Sequence, residues 1–216
     1  IKYFKNSKKG KVAGTIYGIK HCHSEWIKFV DGDDYLDLKI LEPEFFEANV
    51  IYHDYWTITH EEFRLHCTKI KNLNEFVKKG RSLPKGMFFC KKEILLAMFP
   101  PPNDMSFEDF WINFVCLTNK SIFYLNQPIY FYRQHDKNFY GNNDSFTTEK
   151  MKRMGNRYLN VVPKISERYN FSFDKNLIKF AKALKNPKFE NWIVLIFAPY
   201  YLLKFGFYFF KSKINI

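Results

Sequence analysis

The chain has 216 residues, 46% of them apolar and 26% charged, enough for one domain with a tail and a buried core; wholesale disorder is excluded. Nine Gly and nine Pro exclude a collagen-like or linker-like chain. The net charge of +12 is unevenly spread: residues 1–149 hold 20 Lys/Arg against 19 Asp/Glu, and residues 150–216 hold 14 against 3.

In chain order, Gly10 to His23 reads as a helix with Val12, Ile16 and Ile19 on one face. Trp26 to Val30 is a short strand that runs straight into Asp31-Gly-Asp-Asp34, and a helix is expected from about Asp37 to Asn49. Val50 to Thr59 and Phe63 to Ile70 alternate as strands of a hairpin. Leu73 to Lys79 is helical and stops at Gly80; Met87 to Cys90 is a buried strand. Lys92 to Phe99 is a helix that Pro100-Pro-Pro102 must end, and Ser106 can cap another through Phe107 to Asn119. Ser121 to Leu125 and Ile129 to Arg133 are two short strands. From Thr147 onward the pattern is helical, punctuated at Pro163, Pro187 and Pro199.

Aromatic residues reach 20%, a figure that AT-rich codon usage can also produce. Cys22, Cys67, Cys90 and Cys116 form no CxxC pair, which argues against a zinc ribbon or a disulfide framework and makes a reducing compartment the default. The first residues show no charged segment leading into an apolar run, so no signal peptide is visible.

Three constellations could carry chemistry. Asp31, Asp33 and Asp34 crowd like charges at a strand end, a cost that a cation relieves; oxygen-only ligands suit a hard divalent ion. The same residues also make an ordinary polar turn. Glu108 and Asp109 stand at a helix start, either as dipole-favoured carboxylates or as a general base with its neighbour. Tyr130-Phe-Tyr-Arg-Gln-His135 delivers Arg133 and His135 to one strand end, where Arg can clamp a phosphate and a neutral His can bind a metal.

The order of these three resembles family 2 glycosyltransferases of the GT-A fold. The resemblance lies in GIKHCHSEWIKFVDGDDYLDLKIL, in Met87-Phe-Phe-Cys-Lys-Lys and in MSFEDFWINFVCLTNKSIFYLNQPIYFYRQHDKN, and it covers about residues 1–140. It implies a mixed α/β sheet flanked by helices over residues 1–146, followed by a basic helical region over 147–216. It further implies an inverting, single-displacement transfer of a sugar from a nucleotide-diphosphate donor to a hydroxyl of a glycan or lipid-linked acceptor, in surface-glycan synthesis. Asp31, Asp33 and His135 would hold Mn2+ or Mg2+. Asp109 would deprotonate the acceptor, with Glu108, Asp34 and Arg133 contacting substrate. The family opens with an apolar strand, a small-residue loop and an acidic element that bind the nucleoside. Nothing like them precedes Gly10, and Tyr17-Gly18 stands where Asn-Gly is usual. The chain therefore reads as a member lacking its first quarter to third.

The basic last third seeks a polyanion, either anionic lipid or nucleic acid. Its aromatics lie in a nearly uninterrupted apolar run, Trp192 to Phe210, rather than interleaved with basic residues, which favours the membrane and disfavours nucleic acid. Lys204 and Pro199 inside the run, with Tyr200, Tyr201 and Tyr208, favour lying in the headgroup region over crossing. The expected location is the inner face of the cell membrane, on the cytoplasmic side. Two other readings remain open: a non-catalytic interaction module derived from such an enzyme, and a nucleic-acid-binding protein.

Overall fold

The structure is a computed structural model and describes residues 4, 5, 7, 10–37, 47–60, 62–97, 108–135, 147–188 and 198–214. The chain forms two compact units, Ile1–Asn74 with Ser82–Gln134, and Glu75–Arg81 with His135–Ile216. The boundary expected at 146/147 lies at the end of 136–146, outside the described residues, as do Ser106 and most of the helix expected after Asp37.

The first unit is mixed α/β. Its elements are α1 (Lys11–His21), β1 (Trp26–Lys28), β2 (Tyr35–Leu36), β3 (Val50–Ile58), β4 (Phe63–His66), β5 (Phe88–Lys91), α3 (Lys92–Leu96), α4 (Glu108–Leu117) and β6 (Ile122–Arg133); α2 (Leu73–Lys78) lies at the junction with the second unit. The strands make one sheet in the order β1-β5-β3-β6-β2, with β4 also paired to β3. β3 and β6 are parallel, and the other pairings are antiparallel. The β3–β4 hairpin expected from the alternation is present, with Tyr55 opposite His66 and Ile58 opposite Phe63.

β3 is the middle of this unit because its first five residues are all buried. Ile51 packs with Phe89, Leu125 and Ile129, and Trp26 closes the cluster. Three buried polar residues lie in the same strand, His53, Asp54 and Thr57. His53 is fully buried, and its Nδ1–H donates to the Asp54 carbonyl at 2.6 Å, leaving Nε2 to accept from the Lys28 ammonium. Asp54 Oδ1 accepts from Thr68 N at 2.6 Å, Thr68 Oγ1 at 3.2 Å and the Tyr124 hydroxyl at 2.8 Å.

The two strands expected at Ser121–Leu125 and Ile129–Arg133 are one twelve-residue strand, β6. Its register against β3 shifts on both sides of Asp54, where Pro128 is the partner. Proline has no N–H for a ladder, so a bulge is where a strand can hold one. Asn126-Gln-Pro128 therefore reads as a turn from sequence yet runs on as strand.

The second unit is helical: α5 (Thr148–Tyr169), α6 (Lys175–Lys185) and α7 (Pro199–Ile214), with Gly80 and its neighbours. The Thr147 side chain caps α5 by accepting from Lys150 N. The helix does not break at Pro163 as expected: Val161, Val162 and Ile165 are buried beside it while Pro163 faces solvent, where water can serve the carbonyl it frees. Gly155 lets α5 and α6 meet, since a Cβ there would lie 2.5 Å from both Ala181 O and Lys185 N. Tyr201 and Phe205 of α7 are buried, with the Tyr201 ring 5.3 Å from that of Phe180, whereas Leu203 and Phe207 are 75% and 63% exposed. α7 is thus covered on one face and open on another. No helix among the described residues is long and apolar enough to cross a membrane.

Candidate functional site

Asp31 to Asp34 forms a tight turn closed by the Asp34 N–H, which donates to the Asp31 carbonyl at 3.0 Å. Asp34 was expected to contact substrate, but both its carboxylate oxygens are used inside the fold. Oδ1 accepts from the Arg133 N–H at 2.9 Å, and Oδ2 accepts from the Tyr130 hydroxyl. Burial raises the Asp34 carboxyl, and those two hydrogen bonds pull it back. Asp34 therefore pins the turn to β6 and presents Asp31. Its carboxylate and those of Asp33 and Asp31 add to burial in pushing the nearby Tyr132 phenol up to about 12.

Asp31 is met by the start of α4. Lys11 Nζ, in the first turn of α1, lies 3.9 Å from Asp31 Oδ2, 3.7 Å from Glu108 Oε1 and 3.7 Å from Asp109 Oδ2. Lys85 Nζ lies 3.3 Å from Asp31 Oδ1. Lys85 is held in turn by its surroundings: it sits in a 3-10 turn, Lys85–Met87, whose approach is fixed by Asn113 of α4. The Asn113 amide accepts from Leu83 N at 2.6 Å and donates to Leu83 O at 2.6 Å and Asp109 O at 2.7 Å. Three carboxylates from two distant segments thus surround two ammonium groups.

The electrostatics follow from this grouping. Burial opposes the charge on Lys11, but Asp109, Asp31 and Glu108 outweigh it and hold the ammonium above its ordinary range. Burial and the charge of Asp109 raise the Glu108 carboxyl, against the pull of Lys11 and Lys85. Glu108 Oε1 and Asp109 Oδ1 are buried with no hydrogen-bond partner among the described residues. The Asp109 side chain is 33% exposed against 10% for Glu108, so Asp109 is the more accessible of the two.

The expected metal set of Asp31, Asp33 and His135 is not found as a set. Among the described residues no group of three His, Cys, Asp or Glu is arranged to hold a metal ion. The donor chemistry agrees, because both oxygens of Asp31 face ammonium groups. A dication doubles its repulsion by each lysine and its attraction to each carboxylate alike, so what counts against it is that Asp31 has no oxygen turned away from an ammonium group to ligate it. These residues do not fit a resident Mn2+ or Mg2+ at Asp31. His135 lies two residues past β6 and belongs to the second unit. Arg133 donates from Nη1 to the Tyr35 hydroxyl at 3.2 Å, with its guanidinium 5.5 Å from that ring centroid, while its Nε is buried without a hydrogen bond among the described residues.

Lys11 and Lys85 escaped the sequence reading. The signal was indirect: three crowded aspartates in a segment of near-zero net charge require cations close by, and none was assigned. No protein-family model and no curated protein sequence matches the chain.

Proposed function

We propose that the chain belongs to an inverting glycosyltransferase that moves a sugar from a nucleotide-diphosphate donor to a hydroxyl acceptor in surface-glycan synthesis. The observation that carries the reading is the convergence of Asp31 with Glu108 and Asp109 around Lys11, although a long stretch of sequence separates them. In this reading Asp109 takes the acceptor proton as the hydroxyl attacks the anomeric carbon, and the bond to the nucleoside diphosphate breaks on the opposite face. Glu108, deeper and beside it, orients the acceptor. The lysines offset the negative charge that builds where the diphosphate leaves.

The same reading sets the chain against the inner face of the cell membrane. Leu203 and Phe207 support it, being exposed apolar residues one turn apart on α7.

In this reading a nucleoside-binding segment ahead of Gly10 completes the enzyme, so the test is nucleoside-diphosphate release by a protein carrying both that segment and this chain, across a panel of nucleotide sugars and glycan or lipid-linked acceptors. Asp109→Asn should lower turnover by about 100-fold or more and leave donor affinity nearly unchanged. Release that persists undiminished in Asp109→Asn, or no release by the completed protein with any pair, overturns the proposal.

A further inference from the structure

We infer that Lys11, assisted by Lys85, is the resident cation of this carboxylate cluster and occupies the electrostatic position that a divalent ion would otherwise take. The inference does not depend on sugar transfer. It rests on three carboxylates from two segments that share one ammonium group, at 3.7 to 3.9 Å. A second ammonium sits 3.3 Å from the remaining oxygen of Asp31.

The two lysines differ in how they are held. The Lys85 side chain is 10% exposed, and it follows the Leu83 backbone that Asn113 clamps to α4. It is a fixed part of the cluster. The Lys11 side chain is 54% exposed and enters from the first turn of α1, so it can be replaced without opening a core. With Lys11 present, the charges are three negative against two positive. Without it, two uncompensated negative charges remain on oxygens 3.7 to 3.9 Å from where the ammonium stood; they do not stand as a ligand set, and would have to draw in to about 2.1 Å to bind a hard divalent ion. The expected metal chemistry and the observed ammonium are thus alternative answers to one electrostatic demand, and this chain supplies its own.

Mn2+ alone is the probe, titrated into the full chain and followed by electron paramagnetic resonance, with Mg2+ as competitor. The wild-type chain should take up Mn2+ no more tightly than about millimolar. Lys11→Met and Lys11→Gln should each bind one Mn2+ at least roughly tenfold more tightly. Lys11→Arg, which keeps the charge, should not, and adding Asp31→Asn to Lys11→Met should remove the gain. A purely structural role for Lys11 would move melting temperature without separating the neutral variants from arginine. Micromolar Mn2+ binding by the wild-type chain, or no gain in either neutral variant, overturns the inference. Failure to detect sugar transfer leaves these outcomes unchanged, so the two claims fail separately.

Discussion

The two units bury different chemistry. Among the described residues, the buried polar and charged ones His53, Asp54, Thr57, Thr68, Lys85, Glu108 and Asn113 all belong to the first. The second is packed by Met151, Val161, Ile165, Leu177, Phe180 and Phe205, with the net positive charge of the last third of the sequence around them. A buried polar group costs free energy unless its partners are built in, so the first unit is stable only as a specific network. The second rests mainly on apolar faces of suitable shape, packed closely at Gly155 and alanines, with the buried Tyr158 hydroxyl donating to the Gly80 carbonyl at 2.8 Å. The contrast separates the part of the molecule where positions of single atoms matter from the part where area does.

The strongest test removes the node of the polar network. Asp54→Leu leaves Thr68 N without its acceptor beside β3, and leaves Thr68 Oγ1 and the Tyr124 hydroxyl only their second acceptors, the His53 carbonyl at 3.0 Å and Asn126 Oδ1 at 3.2 Å. The expected loss is about 4 kcal/mol, read from urea unfolding by tryptophan fluorescence. Trp26, Trp56 and Trp111 report on the first unit, so the loss should appear in that signal. A cost below about 1 kcal/mol would mean that the network is incidental and the contrast between the units superficial.

Much of this contrast could be read in the sequence, and the reasons for the remainder are specific. Alternation in VIYHDYWTIT marks a strand of a hairpin though not its central place, helical spacing marks α1, and the last third reads as helical as a whole. What alternation does not carry is which polar residue is buried with partners. His53 and Asp54 sit in the strand pattern like any other pair, and only the Thr68 and Tyr124 donors, brought in by β4's connection and β6, show their role. Pro128 misled for the converse reason: a local turn signal was overridden by a tertiary bulge. At the site, the acidic residues Asp31, Glu108 and Asp109 were legible as chemistry-bearing types, but Lys11 and Lys85 were two among 34 basic residues. Like-charge crowding says that a cation is needed without saying which one.

A smaller effect sharpens the comparison through pH. The Lys28 ammonium is lowered well below its ordinary range by burial, and it donates to His53 and to the Gly86 carbonyl. His53 is lowered from 6.5 to about 2, first by burial and then by Lys28. The unfolded chain takes up a proton at this histidine below about pH 6.5, and the folded chain refuses it until about pH 2. Stability from this source is therefore whole above pH 6.5 and is lost as pH falls through that window, by up to about 1.4 kcal/mol per unit. Between pH 7.5 and 5.0 the wild-type chain should lose about 2 kcal/mol that His53→Gln, which keeps an acceptor for Lys28, does not lose. His66 is lowered as well, by burial and then Arg64, so the difference between the two slopes is the quantity to read. Parallel slopes would show that His53 is not the proton-refusing group of the first unit.

The smallest stability effect belongs to the second unit, where the comparison predicts tolerance. Leu203 and Phe207 are 75% and 63% exposed on α7, opposite in character to the buried Tyr201 and Phe205 of the same helix. Replacing both by serine removes little buried area, so unfolding should shift by within about 0.5 kcal/mol per site. Binding to vesicles is a different matter. An apolar side chain of this size contributes about 1.5–3 kcal/mol when withdrawn from water, so the double variant should lose at least about tenfold in affinity for anionic liposomes. Lys175, Lys179, Lys182 and Lys185 on α6 add attraction of about 1 kcal/mol each where they come near an anionic surface, and this part should fade with salt in wild type and variant alike. Salt-sensitive binding that falls in the double variant ties both features to one membrane contact. Unchanged flotation means that the exposed pair does not enter lipid. A stability loss well above 1 kcal/mol means that protein covers that face, and α7 then buries area on both sides.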